Sequence, residues 1–75
     1  IMVTIEKRKF GKKYTVISGI QKEANIIETF KVLKSKFACG GTAKSGQIEL
    51  QGDHRSRMKA VLVHLGFPEE TIEIV

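Results

Sequence analysis

Apolar and polar residues alternate at the start of the chain. From Met2 to Arg8, Val3 and Ile5 fall on one side and Thr4 and Glu6 on the other, the period of two expected of a half-buried strand. Tyr14-Thr15-Val16-Ile17-Ser18 is a second strand-like stretch, rich in β-branched and aromatic residues. Gly11 lies between the two and can supply the positive φ that a turn needs, so the spacing predicts a β-hairpin. Gly19 ends its second strand. The period then changes. Ile26, Phe30, Leu33 and Phe37 recur at the spacing of one helical stripe, which predicts a helix over 25–37. Asn25 followed by Glu28 has the form of a capping box, and Cys39-Gly40-Gly41 is a stop.

The second half repeats the order without repeating the sequence. Thr42-Ala43-Lys44 and Gln47-Ile48-Glu49-Leu50-Gln51 flank Ser45-Gly46, a tight-turn dipeptide. Ile48 and Leu50 share the face expected to be buried. Asp53 reads as the N-cap of a second helix, whose apolar stripe is Met58, Val61, Leu62 and Leu65. Gly66 and Pro68 end that helix. Thr71 to Val75 alternates again, with Ile72 and Ile74 inward. The predicted order is ββαββαβ. Two amphipathic helices and several one-faced strands are satisfied together by an α+β two-layer sandwich, with a mostly antiparallel sheet and both helices on one face.

Length and composition narrow the classes. Seventy-five residues form one domain, spanning 1–75. No run of about 18 apolar residues is present to span a membrane, and no secretory leader is visible. Ile1 precedes Met2, as expected where natural N-terminal residues have been removed. The single cysteine, Cys39, can make neither an internal disulfide nor a cysteine-rich zinc site, which points to a reducing, cytoplasmic setting. Cys39, Asp53, His54 and His64 are the candidates for chemistry. Cys39 reads as a small buried thiol, Asp53 as a cap and His64 as an edge-of-core residue. No nucleophile, base and orienting group come together, so the expectation is a non-enzyme without metal or cofactor.

Charge changes the picture more. Thirteen Lys and Arg against eight Asp and Glu give a net charge of +5, which draws polyanions. Five basic residues fall within positions 7–13, at the tip and flanks of the first hairpin. Like charges so crowded repel one another, and a phosphate-rich partner relieves that repulsion. Phe10 stands among them, where an aromatic ring can stack on a base. The alternative is a solvated hairpin whose lysines block edge-to-edge pairing. A second basic group is Lys31, Lys34 and Lys36 on the first helix. A third is Arg55, Arg57 and Lys59 on the second, which could meet phosphate or pair with Glu49, Glu69 or Glu70.

Two segments carry a resemblance. Phe37-Ala38-Cys39-Gly40-Gly41-Thr42, followed by Leu50-Gln51-Gly52-Asp53-His54-Arg55, resembles the paired signature of the translation initiation factor 1 family of archaea and eukaryotes, the SUI1 domain. Thr15-Val16-Ile17-Ser18-Gly19-Ile20, after a basic loop, is similar to the family's first hairpin. The likeness covers essentially the whole chain and looks more archaeal than eukaryotic. It implies the ββαββαβ fold and a factor that binds small-subunit rRNA near the P site, where initiator tRNA pairs with the mRNA start codon. Other initiation factors are implied partners, and the expected state is a monomer. By the resemblance, Arg8, Lys9, Phe10, Gly11, Lys12 and Lys13 approach rRNA, with Lys31, Lys34 and Lys36 as a further ribosome contact. Arg55 and Lys59 join them on charge alone. Lys44, Ser45 and Gly46 match the loop that faces tRNA in eukaryotic members, although the loop is very short here. Alternatives are a ribosome-binding module of a longer reinitiation, recycling or stress-type factor, and a general RNA-binding domain.

Overall fold

The structure, a computed structural model, describes residues 1–21 and 23–75; the side chains of Glu23 and Ala24 are not described. Five strands and two helices follow the predicted order: β1 (Met2–Lys7), β2 (Lys13–Ser18), α1 (Glu23–Phe37), β3 (Gly41–Lys44), β4 (Gln47–Gln51), α2 (Arg55–His64) and β5 (Glu73–Ile74). The sheet order is β3-β4-β2-β1-β5. All neighbours run antiparallel except β1 and β5, which are parallel.

Register sorts the sheet into two faces, because successive side chains point to opposite sides. Val3 lies opposite Ile17, and Ile17 opposite Ile48. These three join Leu50, Ile26 and Leu33 of α1, and Met58 and Leu62 of α2, in one buried cluster. Both helices therefore cover the same face, as the two-layer arrangement requires. Full burial of a Leu or Met side chain is worth about 1.5–3 kcal/mol, so this cluster sets most of the stability. The opposite face carries Thr4, Glu6, Tyr14, Val16, Glu49 and Gln51, and neither described helix packs on it.

Local departures from the pattern have local causes. Helix α1 begins at Glu23, two residues before the expected start. Asn25 thus sits inside its first turn and does not form the capping box with Glu28. Glu and Ala are both good helix formers and carry the helix backwards. The last segment is strand only over Glu73–Ile74; Glu69–Thr71 forms a 3-10 turn, with the Thr71 N–H and hydroxyl both donating to the Pro68 carbonyl. Ile72 is still buried and Ile74 half-buried, as the alternation predicts. Helix α2 ends in a Schellman motif: Phe67 N–H donates to Leu62 O and Gly66 N–H to Val63 O, with Gly66 at φ 106°. His64 is exposed, not at the core edge, because it falls opposite the Met58–Leu62 stripe.

Candidate nucleic-acid interface

The first hairpin closes through a tight turn over Lys9–Lys12 whose two central residues, Phe10 and Gly11, are both left-handed, with Lys12 N–H donating to Lys9 O at 3.5 Å. Arg8 N–H donates to Lys12 O at 2.7 Å. Gly11 has φ 72°, as expected of its place in the turn, but Phe10 beside it also has positive φ, 64°. The last paired residues of the two strands are Lys7 and Lys13, directly opposite each other. Two like charges at such a pair destabilise a hairpin. Among the described residues, no carboxylate lies within 4.0 Å of the ammonium groups of Lys7, Lys9, Lys12 or Lys13. The tip therefore carries four cations without a contacting carboxylate, with Asp53 acting on Lys13 at longer range, on a turn with two left-handed residues.

Arg8 behaves differently from its neighbours. Its side chain folds back over the helix-free face of the sheet. There Nε donates to Glu6 (3.1 Å) and one terminal nitrogen to Glu49 (2.9 Å). The guanidinium carbon lies 4.2 Å from the Tyr14 ring centre, within cation–π range. Its hydrogen bonds to Glu6, then Glu49, hold the guanidinium more firmly protonated than usual. The sequence offers Glu49 as a partner for the second helix; it pairs instead with Arg8, 41 residues earlier.

The β4–α2 junction is a knot of backbone hydrogen bonds centred on Thr15. Its fully buried hydroxyl donates to Gly52 O (2.7 Å) and accepts from His54 N–H (2.9 Å). Gly52 N–H donates to Lys13 O at 2.8 Å, and Gly52 takes φ 100°. His54 Nε2 lies 2.7 Å from the Gln51 carbonyl; a carbonyl only accepts, so Nε2 carries the proton. His54 immediately precedes α2 without a side-chain capping bond; the cap expected of Asp53 is made from one residue earlier. The Asp53 Oδ1 accepts from Arg55 N–H (3.2 Å) and Nε (3.1 Å), and Oδ2 from a terminal nitrogen (3.0 Å). These bonds lower the Asp53 carboxyl to about 2.

The two signature segments meet here. The Phe37 and His54 rings lie 4.7 Å apart, and Arg57 sits 5.5 Å from the Phe37 ring centre. Gln51 N–H donates to Gly40 O (2.9 Å). Gly41 faces Leu50 in the ladder, and a Cβ at Gly41 would collide with the Glu49 carbonyl. A glycine is required at 41 because β3 passes so close to β4. Cys39 is half-buried, and burial pushes its thiol above the usual range.

The remaining predicted residues divide by pairing. Lys31, Lys34 and Lys36 are all exposed on α1, with the Lys34 ammonium 5.2 Å from the Phe30 ring centre. Arg55 is taken up by Asp53 and by the Val75 carbonyl (3.1 Å). Lys59 lies 3.6 Å from Glu69. Ser45 and Gly46 form an exposed two-residue turn, with φ 51° and 75°, and Lys44, also exposed, ends β3 opposite Gln47. Lys7 lies outside the residues matched to the family's loop, and its place in the basic run is the signal that marks it. No described helix is long and apolar enough to cross a membrane, and no described cluster of His, Cys, Asp and Glu has metal-site geometry.

The class defined by fold and surface is a two-layer α+β domain with a lysine-rich hairpin tip. The chain belongs to the SUI1 translation initiation factor family: the family model described as "Translation initiation factor SUI1" matches residues 1–68. It is 57% identical over 76 residues to the "Protein translation factor SUI1 homolog" of Aeropyrum pernix, covering 100% of this chain and 75% of that protein. The protein of the same description from Pyrococcus horikoshii is 57% identical over 75 residues, covering 99% and 76%. The Thermococcus kodakarensis one is 55% identical over 75 residues, with the same coverage. These relatives are archaeal, and family membership gives the chain a role in translation initiation.

Proposed function

We propose that this protein binds the small ribosomal subunit near the P site and promotes accurate selection of the start codon by initiator tRNA. It does so by binding, not catalysis. The observation that carries the reading is the hairpin tip: Lys7, Lys9, Lys12 and Lys13 lack described carboxylate partners, and Lys7 faces Lys13. Phosphates of rRNA would relieve that repulsion and release counterions. Lys31, Lys34 and Lys36 add a second cationic surface on α1. Arg8, Arg55 and Lys59, each held by a carboxylate, contribute less free charge to the contact.

Discrimination follows from competition for space. The hairpin occupies volume that full accommodation of initiator tRNA needs. A correct codon–anticodon helix gains enough to displace it, and a mismatched one does not. The tight Ser45-Gly46 turn projects little, so Lys44–Gly46 adds at most a small contact with tRNA. The protein would act as a monomer in the cytoplasm, alongside other initiation factors, mRNA and initiator tRNA.

Co-sedimentation with archaeal small subunits tests this directly. The expected result is salt-sensitive binding, with release of the factor when initiator tRNA pairs with a correct start codon. Lys9→Ala combined with Lys12→Ala should weaken binding and reduce the log–log salt slope by roughly 0.7–0.9 per lost phosphate contact. An unchanged slope would remove the hairpin from the interface.

A further inference from the structure

Phe10 is placed where the fold has no use for it. Its residue is 95% exposed, so the ring packs against nothing that stabilises the domain. Its backbone, at φ 64° and ψ 28°, lies in the left-handed region that L residues with bulky side chains rarely enter. Asn or Gly would close the same turn with less strain. An aromatic ring held out into solvent at a strained position among cations calls for a ligand with a flat apolar surface and negative charge.

The surroundings agree. The ring stands beside an open, shallow surface cleft lined also by Lys7, Lys9, Lys12 and Tyr14. Tyr14 already has the Arg8 guanidinium over its ring, whereas Phe10 keeps its ring free. Glu6 also lines the cleft, but its carboxylate accepts from Arg8. In a duplex the base faces are stacked on their neighbours and closed to such a ring. A single-stranded or extruded base offers its face freely.

We propose that the hairpin tip binds one unstacked nucleotide of single-stranded RNA, with its base stacked on Phe10 and its flanking phosphates held by Lys7, Lys9 and Lys12. This rests on the ribosomal reading above and names the group that the tip meets there. The same chemistry is offered by an unpaired rRNA nucleotide and by the mRNA.

The chain contains no Trp, so Phe10→Trp places a single tryptophan at the tip, excited selectively over Tyr14. Its emission should be quenched by single-stranded oligoadenylate and by small subunits, and not by an RNA duplex of equal phosphate count. Quenching by subunits alone assigns the nucleotide to rRNA; quenching that requires bound mRNA assigns it to mRNA; either supports stacking. Phe10→Asn, which tolerates the left-handed backbone, should bind the single strand about tenfold or more weakly. Its salt slope should not change, because no cation is lost, and its Tm should be no lower than that of the parent. Unquenched Trp emission in every case, or Phe10→Asn binding within about twofold of the parent, overturns the inference. If Phe10→Asn is neutral while the Lys9→Ala, Lys12→Ala pair loses subunit binding, stacking alone fails. If the lysine pair is also neutral, the ribosomal reading of the hairpin fails with it.

Discussion

The Arg8 guanidinium reaches across β2 to hydrogen-bond Glu49 of β4 at 2.9 Å, tying the end of the first hairpin's leading strand to the second hairpin. The Glu49 side chain is only 12% exposed, and Arg8 is its ion-pair partner among the described residues. Removing Arg8 leaves a carboxylate unpaired in a poorly solvated place, which costs more than the contact itself was worth. Arg8→Ala should therefore lower Tm by on the order of 5 °C. Adding Glu49→Gln should recover part of that loss. Thermal unfolding of the two single variants and the double variant checks this, and additive effects would show that the pair is not coupled. In subunit binding, Arg8→Ala should change the salt slope less than Lys9→Ala does, since the Arg8 charge is already matched.

Lys7 and Lys13 set binding against stability. They face each other at the last ladder position of the hairpin. Lys7→Glu turns a repulsive pair into an attractive one and should stabilise the free protein by about 0.5 kcal/mol. The same change should weaken binding to small subunits and flatten its salt dependence. Urea unfolding and sedimentation on one preparation separate the two effects; a variant that lost both stability and affinity would contradict the pairing.

Thr15 holds the β2–β4–α2 junction through its hydroxyl. Thr15→Val keeps the shape and removes the donor to Gly52 O and the acceptor for His54 N–H. Both backbone groups would lose a partner in a buried place, at a cost of about 2–4 kcal/mol in total. Thr15→Ser, which keeps the hydroxyl, should cost less. Denaturant midpoints of the two variants test this, and a Val variant as stable as the Ser variant would mean that water satisfies the junction.

Asp53 makes the protein acid-sensitive over a narrow range. Its carboxyl is lowered to about 2 by the Arg55 side chain and then by the Arg55 N–H. A carboxyl depressed in the folded state contributes stability that is present above its unfolded value, near 3.9, and is lost as pH falls toward the folded value. Tm of the parent should fall between about pH 4 and pH 2 more steeply than that of Asp53→Asn. Parallel curves for the two proteins would rule out this source of acid sensitivity.

Much of the architecture is legible in the residue pattern, because burial on one face imposes a period. The alternation of Val3 and Ile5, the helical stripe from Ile26 to Phe37, and the Ser45-Gly46 turn each state a local geometry. Together they leave few ways to bury the apolar faces. The basic run at 7–13 is equally plain, since charge density is a property of the chain itself. The ends of elements are less plain. The Asn25–Glu28 pair has the form of a cap, but intrinsic helix propensity before it moves the start to Glu23. Asp53 does make the side-chain capping bond, to Arg55 N–H, but the regular helix begins one residue later than that cap implies, after His54.

The ββαββαβ order, the core stripes, the family and the basic hairpin are all written in the residues, since each depends on local period, composition or contiguous motif. Which cations are free is a matter of packing. Arg8 and Lys9 are neighbours in the chain and of like charge, yet one is bound to a carboxylate 41 residues away and the other is not. The folded molecule also gives the signature segments a structural role. Phe37 packs on His54, Gly41 admits β4, and Gly52 and His54 are tied to Thr15. Those relations join residues far apart in the chain through the register of the sheet, and pairing at that distance leaves no period for a sequence to display.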